Sequence, residues 1–444
     1  MSNSISLKNI NKLAIPALIA GVSEPILSLT DVAIVGNIEN NATESLAAVG
    51  IVSTFLSMLI WVLGQTRSAI SSIISQYLGA DKLDAVKNLP AQAIFLITSL
   101  SILIILITYP FAIQIFKLYN ASNLILDYSV DYYHIRVFGF PFTLFSIAVF
   151  GTFRGLQNTY YPMIIAIIGA IANIIFDVIL VYGIEGYIPA FQIKGAAYAS
   201  VIAQLLMALC SAYYLLKKTD IPLWVRFPFN KEIKRFTIMI LNLFIRTLAL
   251  NTTLYFATSY AAKYGTTYIA AYTIAINLWF LGAFLIDGYA SAGNILGGKL
   301  LGAKQYKTLV SLSNKLIKYG IIVGLLLGSI GALFYYPIGR IFTNDIDVLN
   351  TFYNAFWLVL AMQPLCALAF IFDGVFKGLG RMADLRNILL FSTFIIFIPA
   401  LLLFDYLGYK LIGIFIAFTL WIIARGIPLI IKFRKTYKPL AQNA

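Results

Sequence analysis

Residues 151–156 read Gly-Thr-Phe-Arg-Gly-Leu, and residues 374–379 read Gly-Val-Phe-Lys-Gly-Leu, an offset of 223 (374 less 151). The same offset carries Leu78-Gly79-Ala80 onto Leu301-Gly302-Ala303 and Pro141 onto Pro364. Three separate matches at one spacing, close to half of the 444 residues, mark an internal duplication. Each copy of the hexapeptide closes a long apolar run, so the duplicated unit is built from apolar segments.

The composition says what those segments are. Hydrophobic residues make up 60% of the chain and charged ones 11%. A soluble protein is nearer half apolar and a quarter charged, so neither a soluble globule nor a disordered chain fits. The two cysteines, Cys210 and Cys366, lie in apolar runs and offer no disulfide framework or metal motif. One histidine, His134, leaves little room for histidine-based catalysis or a metal centre. The chain does not read as an enzyme, and no cofactor is expected.

A membrane helix needs about 20 apolar residues. Twelve such runs lie near 12–36, 44–76, 90–112, 128–153, 160–184, 195–216, 234–262, 266–297, 314–337, 351–376, 385–405 and 411–432. The second and eighth are long and carry Gly, Ser and Thr, which predicts bent helices packed within a bundle. Lys8 and Lys12 lead straight into the first run, which reads as a retained span. With the N-terminus placed inside, 23 of the 32 Lys and Arg fall on inner segments and six on outer ones, Arg136 among them. That bias predicts both termini in the cytoplasm. The net charge of +14 is then a record of orientation, and no nucleic-acid partner is expected. The Leu-Gly-Ala copies follow the second run of each half, and the hexapeptides close the fourth. Equivalent loops on one side require an even number of spans per half, so the halves are parallel six-helix bundles. The predicted division is 1–216, a polar cytoplasmic joint at 217–235, and 236–444. Two such lobes favour a transporter.

Ionisable groups inside spans are costly and are functional candidates by default. Glu24, Asp31, Asp131, Asp177, Asp287 and Asp373 stand out. Asp31 and Asp177 lie about 27 Å and about 22 Å from the inner side at 1.5 Å per residue. Asn173 shares a helix face with Asp177, and Glu24, Ser28 and Asp31 form a stripe on the first helix. Two neighbouring carboxylates with an amide and hydroxyls suit a proton or a sodium ion equally. The plainer reading is a polar knot between helices. In the second half, Arg246 can neutralise Asp287 or Asp373, as a structural ion pair or as part of transport. Tyr132, Tyr133 and His134 lie at the outer start of the fourth run, where interfacial residues are common.

At these residues the chain resembles the multidrug and toxic compound extrusion (MATE) transporters, and looks most like their DinF-like branch. The matching stretches include PILSLTDVAIVGNI (25–38), FRGLQNTYYP (153–162), NIIFDVILVYG (173–183), IKGAAYASVIAQ (193–204) and LIDGYASAGNILGGKLLGA (285–303). The resemblance implies a V-shaped, all-α exporter of twelve transmembrane helices in two parallel six-helix lobes. It would move cationic or amphipathic compounds out by alternating access as protons or sodium ions flow in. By the same resemblance, Asp31 stands at the essential acidic position and Pro16 where the first helix bends. Asn173 and Asp177 form the NxxxD pair, and Ser200 replaces a common threonine. Ser146 stands where some relatives carry asparagine, and the tyrosine of the fourth helix is Tyr132 or Tyr133. Sodium, if it is the coupling ion, would lie at Asp31, Asn173 and Asp177. Glu24 is outside the motif. Arg246, on the seventh helix, stands where the NorM-like branch would supply a sodium carboxylate.

The expected protein is therefore a multi-pass antiporter of the plasma membrane, working as a monomer with a small organic, cationic substrate. A flippase for lipid-linked oligosaccharides, from the same superfamily, is the alternative and would want a more cationic cavity.

Overall fold

The computed structural model describes residues 5–38 and 41–443, with side chains throughout except at 23–29 and 32. Its helices, in order, are α1 (Leu7–Val35), α2 (Ala42–Leu63), α3 (Thr66–Gly79), α4 (Leu89–Thr108), α5 (Ala112–Leu118) and α6 (Asn123–Arg136). There follow α7 (Phe140–Gly155), α8 (Tyr160–Tyr182), α9 (Ile193–Lys218), α10 (Ile233–Lys263), α11 (Thr266–Gly302) and α12 (Tyr306–Leu333). The last are α13 (Tyr335–Phe342), α14 (Ile346–Gly378), α15 (Met382–Phe391), α16 (Ile398–Tyr406) and α17 (Lys410–Gln442). An isolated bridge between Ile184 and Ile188 is the β feature among the described residues.

Among the described residues, ten stretches are long and apolar enough to cross a bilayer. Helices α1 and α10, of 29 and 31 residues, are also long enough and complete the twelve predicted runs. Three runs are interrupted well inside their length, and the ninth near its end, at Phe334. The second breaks into α2 and α3 at Gly64, where Thr66 Oγ1 donates to the Leu63 carbonyl at 2.5 Å and turns the chain. The fourth passes from α6 to α7 through a tight turn at Val137–Gly139, just before Pro141. The eleventh passes from α15 to α16 through a wider π-type turn at Ser392–Phe397. The eighth run, expected to resemble the second, is one helix of 37 residues.

The duplication is written into the packing. In the first half a Cβ on Gly151 would press on the Arg67 backbone, and one on Gly155 on Ser71 and Ile74. In the second half the partners of Gly374 and Gly378 are Ala290 and Asn294, each 223 positions on from Arg67 and Ser71. Bare backbone at these glycines lets the helices cross closely. The short α5 also recurs, as α13.

The chain forms two compact units. One holds residues 19–74 and 82–237, with a buried aromatic interior that includes Phe116, Tyr132, Tyr133, Phe140 and Phe153. The joint belongs to this unit. Gln92 Nε2 donates to the Arg226 carbonyl at 2.7 Å, and the Asn230 amide donates back to Gln92 Oε1 at 2.8 Å. The other unit holds residues 1–18, 75–81 and 238–444. Its core is centred on Trp279, Phe397, Phe418 and Trp421. Within it the last turn of α3 crosses the last turn of α11. A Cβ on Gly79 would overlap the Lys299 carbonyl, and one on Gly302 would overlap that of Gln76. These two contacts exchange under the same 223-residue offset, so the Leu-Gly-Ala copies meet each other symmetrically. Gln76 Nε2 also donates to the Gly378 carbonyl at 2.7 Å. Large apolar side chains such as Phe95, Leu103, Leu106 and Ile107 of α4 stay exposed, as a lipid-facing surface requires.

Candidate functional site

Helix α8 buries one face made of Ile165, Ala166, Gly169, Ala172, Asn173 and Asp177. Its small residues let α9 lie close. Met207 fills the place a Cβ would take at Gly169, and Gly195 abuts the Leu180 backbone. This fixes Asn173 and Asp177, one turn apart, opposite Ser200 on the Ala-rich face of α9. The outer part of α1 completes the group with Asp31. Tyr182 Oη donates to the Ile34 carbonyl at 2.9 Å and holds that part of α1 in place.

Asp31, Tyr132, Asn173, Asp177 and Ser200 are all buried together in the unit formed by 19–74 and 82–237. Ser200 Oγ donates to Asp31 Oδ2 at 2.8 Å. Asn173 Nδ2 reaches Ser200 Oγ at 3.4 Å, and Tyr132 Oη reaches Asp31 Oδ2 at 3.5 Å. Asp31 and Asp177 are close enough to feel each other's charge. Asp31 Oδ1, both Asp177 carboxyl oxygens and Asn173 Oδ1 are buried without a hydrogen-bond partner among the described residues. Buried acceptors are normally satisfied, and an unmet carboxylate is costlier than a neutral group. Four such oxygens, three of them from two carboxyls, gather at one buried place.

Other predicted residues stand elsewhere. Of the two tyrosines, Tyr133 donates to Thr108 Oγ1 at 2.5 Å, so Tyr132 is the one that meets Asp31. Ser146 is buried, but its hydroxyl donates to the Phe142 carbonyl of its own helix at 2.9 Å. Asp131 pairs with Lys194 at 2.9 Å on the surface. His134 stacks on Tyr109, ring centroids 4.1 Å apart. The Glu24 side chain lies outside the described residues. Pro16 is in α1, two residues before the point at which that helix passes from one compact unit to the other.

Arg136 is a site residue that sequence reading placed in an outer segment. It lies one turn after Tyr132, at the end of α6, within electrostatic reach of Asp31 and Asp177. Its Nη1 donates to Gln204 Oε1 at 2.8 Å, one turn after Ser200 on α9. A Cβ on Gly139 would meet the Gln204 amide, the flexible end of that side chain, which would have to shift. The i, i+4 spacing of Tyr132 and Arg136 was the available signal.

The second unit carries a charge cluster of opposite sign. Arg246 Nη2 lies 2.5 Å from Asp373 Oδ1, and Lys377 Nζ lies 3.0 Å from Asp373 Oδ2. Arg425 is buried nearby, its guanidinium 4.4 Å from the Trp421 ring centroid and 5.4 Å from that of Phe370. Three cations thus share one carboxylate. Asp287, the other candidate for Arg246, is exposed on α11.

A family model described as MatE matches residues 16–179 and 243–403, one block in each half of the chain. DNA damage-inducible protein F of Escherichia coli (strain K12) is 25% identical over 433 residues, covering 96% of this chain and 92% of that protein. Protein DETOXIFICATION 42 of Arabidopsis thaliana is 32% identical over 256 residues, 56% of this chain. The matched region spans about half the length of that protein and of DETOXIFICATION 43. Among solved structures, "Crystal structure of MATE in the bent conformation" superposes with a TM-score of 0.90 at 22% identity, covering 98% of this chain and 96% of that one. A structure described as the outward-facing conformation of a multidrug resistance MATE family transporter superposes with a TM-score of 0.86, also at 22% identity. Matched by the family model over most of both halves, the chain belongs to the MatE family.

Proposed function

We propose that the protein is a secondary antiporter that exports organic cations or amphipathic compounds in exchange for protons or sodium ions. The observation that carries this reading is the buried group of Asp31, Tyr132, Asn173, Asp177 and Ser200, in which four oxygens have no hydrogen-bond donor among the described residues. A proton or sodium ion at Asp31 and Asp177 cancels negative charge that a cationic substrate would otherwise use as its counter-charge. Binding of one cation then lowers the affinity for the other, which is the coupling an antiporter needs. Arg136, within electrostatic reach of the pair, offsets part of its negative charge. The outer part of α1 carries Asp31, and Pro16 interrupts the backbone hydrogen-bond ladder of that helix. A change of charge at Asp31 is thereby linked to a helix able to bend.

Relatives named multidrug resistance protein MdtK and probable multidrug resistance protein NorM, both from Photorhabdus laumondii, support the substrate class. The excess of Lys and Arg on inner segments supports cytoplasmic termini, and in a bacterial cell the plasma membrane as the location. A monomer is sufficient, since the candidate site is assembled within one unit of one chain. The flippase alternative wants cations lining an open cavity. Arg246 and Arg425 instead lie packed in the unit interior, 6% and 4% exposed.

The test is export of a fluorescent organic cation from proteoliposomes, with proton and sodium gradients imposed separately. One gradient is expected to drive export, and Asp31→Asn is expected to abolish it while the protein still inserts and folds. Undiminished gradient-driven export by Asp31→Asn would overturn the assignment.

A further inference from the structure

A groove of about 380 Å³ opens on the unit formed by 1–18, 75–81 and 238–444, between α12 and α17. It is lined by Asn314, Ile317, Lys318, Ile321, Ile322 and Arg434. Lys318 and Arg434 are exposed, and neither has an ion pair or hydrogen bond among the described residues. No acidic residue lines the groove. Both cations sit at the ends of their runs that share one boundary: Lys318 is four residues into the run 314–337, and Arg434 is two residues beyond the run 411–432. The same boundary carries Lys315, Lys432, Lys435 and Lys438, which the charge bias places on the inner face.

The lining is graded along the membrane normal. Asn314 and Lys318, one turn apart on α12, stand with Arg434 at the water side. Ile321 and Ile322 continue the same face toward the middle of the bilayer. A free anion would use the polar end and leave the isoleucines idle. A phospholipid matches both ends: a phosphodiester needs cationic donors, and its acyl chain needs an apolar track. Unpaired cations at the headgroup level, with long stems able to reach the interface, prefer a headgroup with net negative charge.

We propose that this groove holds one anionic phospholipid of the inner leaflet. Lys318 and Arg434 grip the phosphodiester, the Asn314 amide meets the glycerol, and an acyl chain lies along Ile317, Ile321 and Ile322. The site is separate from the carboxylate group of the other unit and does not depend on what is transported.

The test uses the full-length protein in detergent, titrated with phosphatidylglycerol or phosphatidylcholine and read by native mass spectrometry. Wild type is expected to retain one phosphatidylglycerol at least about tenfold more tightly than phosphatidylcholine. Lys318→Gln with Arg434→Gln is expected to remove that preference. Lys318→Arg with Arg434→Lys is expected to keep it, which shows that charge and not fold was lost. Lys435→Gln with Lys438→Gln, outside the groove, is expected to leave it intact. Equal retention of the two lipids by wild type, or an equal loss in the Lys435 and Lys438 variant, would overturn the proposal. So would displacement of the lipid by millimolar inorganic phosphate, which would make the ligand a free anion.

Discussion

Ser200 gives a short hydrogen bond in the candidate site, 2.8 Å to Asp31 Oδ2. A bond to a charged group is worth about 1.5–3 kcal/mol. Ser200→Ala should therefore cut gradient-driven export by about tenfold or more, a conversion at about 1.4 kcal/mol per decade. Ser200→Thr, which keeps the hydroxyl, should retain export; rates in proteoliposomes check both. Equal loss in the two variants would mean that packing, not the hydroxyl, matters there. The second charge cluster makes an asymmetric prediction. Asp373 is the carboxylate that faces Arg246, Lys377 and Arg425. Asp373→Asn leaves three cations without a counter-charge and should cost about 3–5 kcal/mol. Arg246→Met leaves Asp373 paired with Lys377 and should cost less. Thermal unfolding in detergent ranks the two, and the reverse order would show that Arg246 matters through packing alone. The acids of this site were legible because charge in an apolar run is rare. Their partners were not: Tyr132 and Tyr133 are adjacent in sequence, and only helix rotation separates them.

At the scale of elements, the glycines of the duplicated motifs are in close contact, and other glycines stand in open space. Gly79 and Gly302 each face the backbone of the other helix, whereas Gly50 of α2 has no atom of the described residues near its Cβ position. Gly302→Ala should destabilise the protein by about 1–3 kcal/mol, the usual cost of overpacking. Gly50→Ala should be neutral or stabilise by up to about 1 kcal/mol, because alanine favours a helix. Melting curves of the two variants test this, and a neutral Gly302→Ala would mean that the crossing relaxes freely. Pro16→Ala should restore the hydrogen bond that proline withholds from α1. Folding should survive and export should fall, measured as transport rate against melting temperature; unchanged export would remove Pro16 from the mechanism. The interruptions of the runs were only partly readable. Gly64 and Pro141 lie at breaks in the first half. At the corresponding positions Asp287 is passed by a continuous helix, and Pro364 is absorbed within α14. A π-type turn such as Ser392–Phe397 leaves no mark in composition. It is held from afar, by Thr393 Oγ1 against Thr253 Oγ1 at 2.9 Å and Trp421 Nε1 at 3.1 Å.

For the whole molecule, the charge bias predicts which loops face the cytoplasm. With Cys210 and Cys366 first replaced, a cysteine at Lys194 should react with an impermeant thiol reagent in intact cells. One at Lys435 should react only after the membrane is opened. The opposite pattern would invert the orientation and move the lipid groove to the outer leaflet. Hydropathy, charge and the 223-residue offset are properties read along the chain, so the sequence by itself determined the membrane class, the twelve spans, the duplication and the acids worth testing. Only the tertiary structure decided which of those acids meet. It set Arg136 within electrostatic reach of Asp31 and Asp177, turned Ser146 toward its own helix, and matched Arg246 with Asp373 rather than Asp287. It also packed residues 1–18 and 75–81 with the C-terminal half. The reason is geometric: a helix shows its faces every 3.6 residues, but which face meets which neighbour depends on how packed helices rotate and cross. That choice is made jointly by segments far apart in sequence.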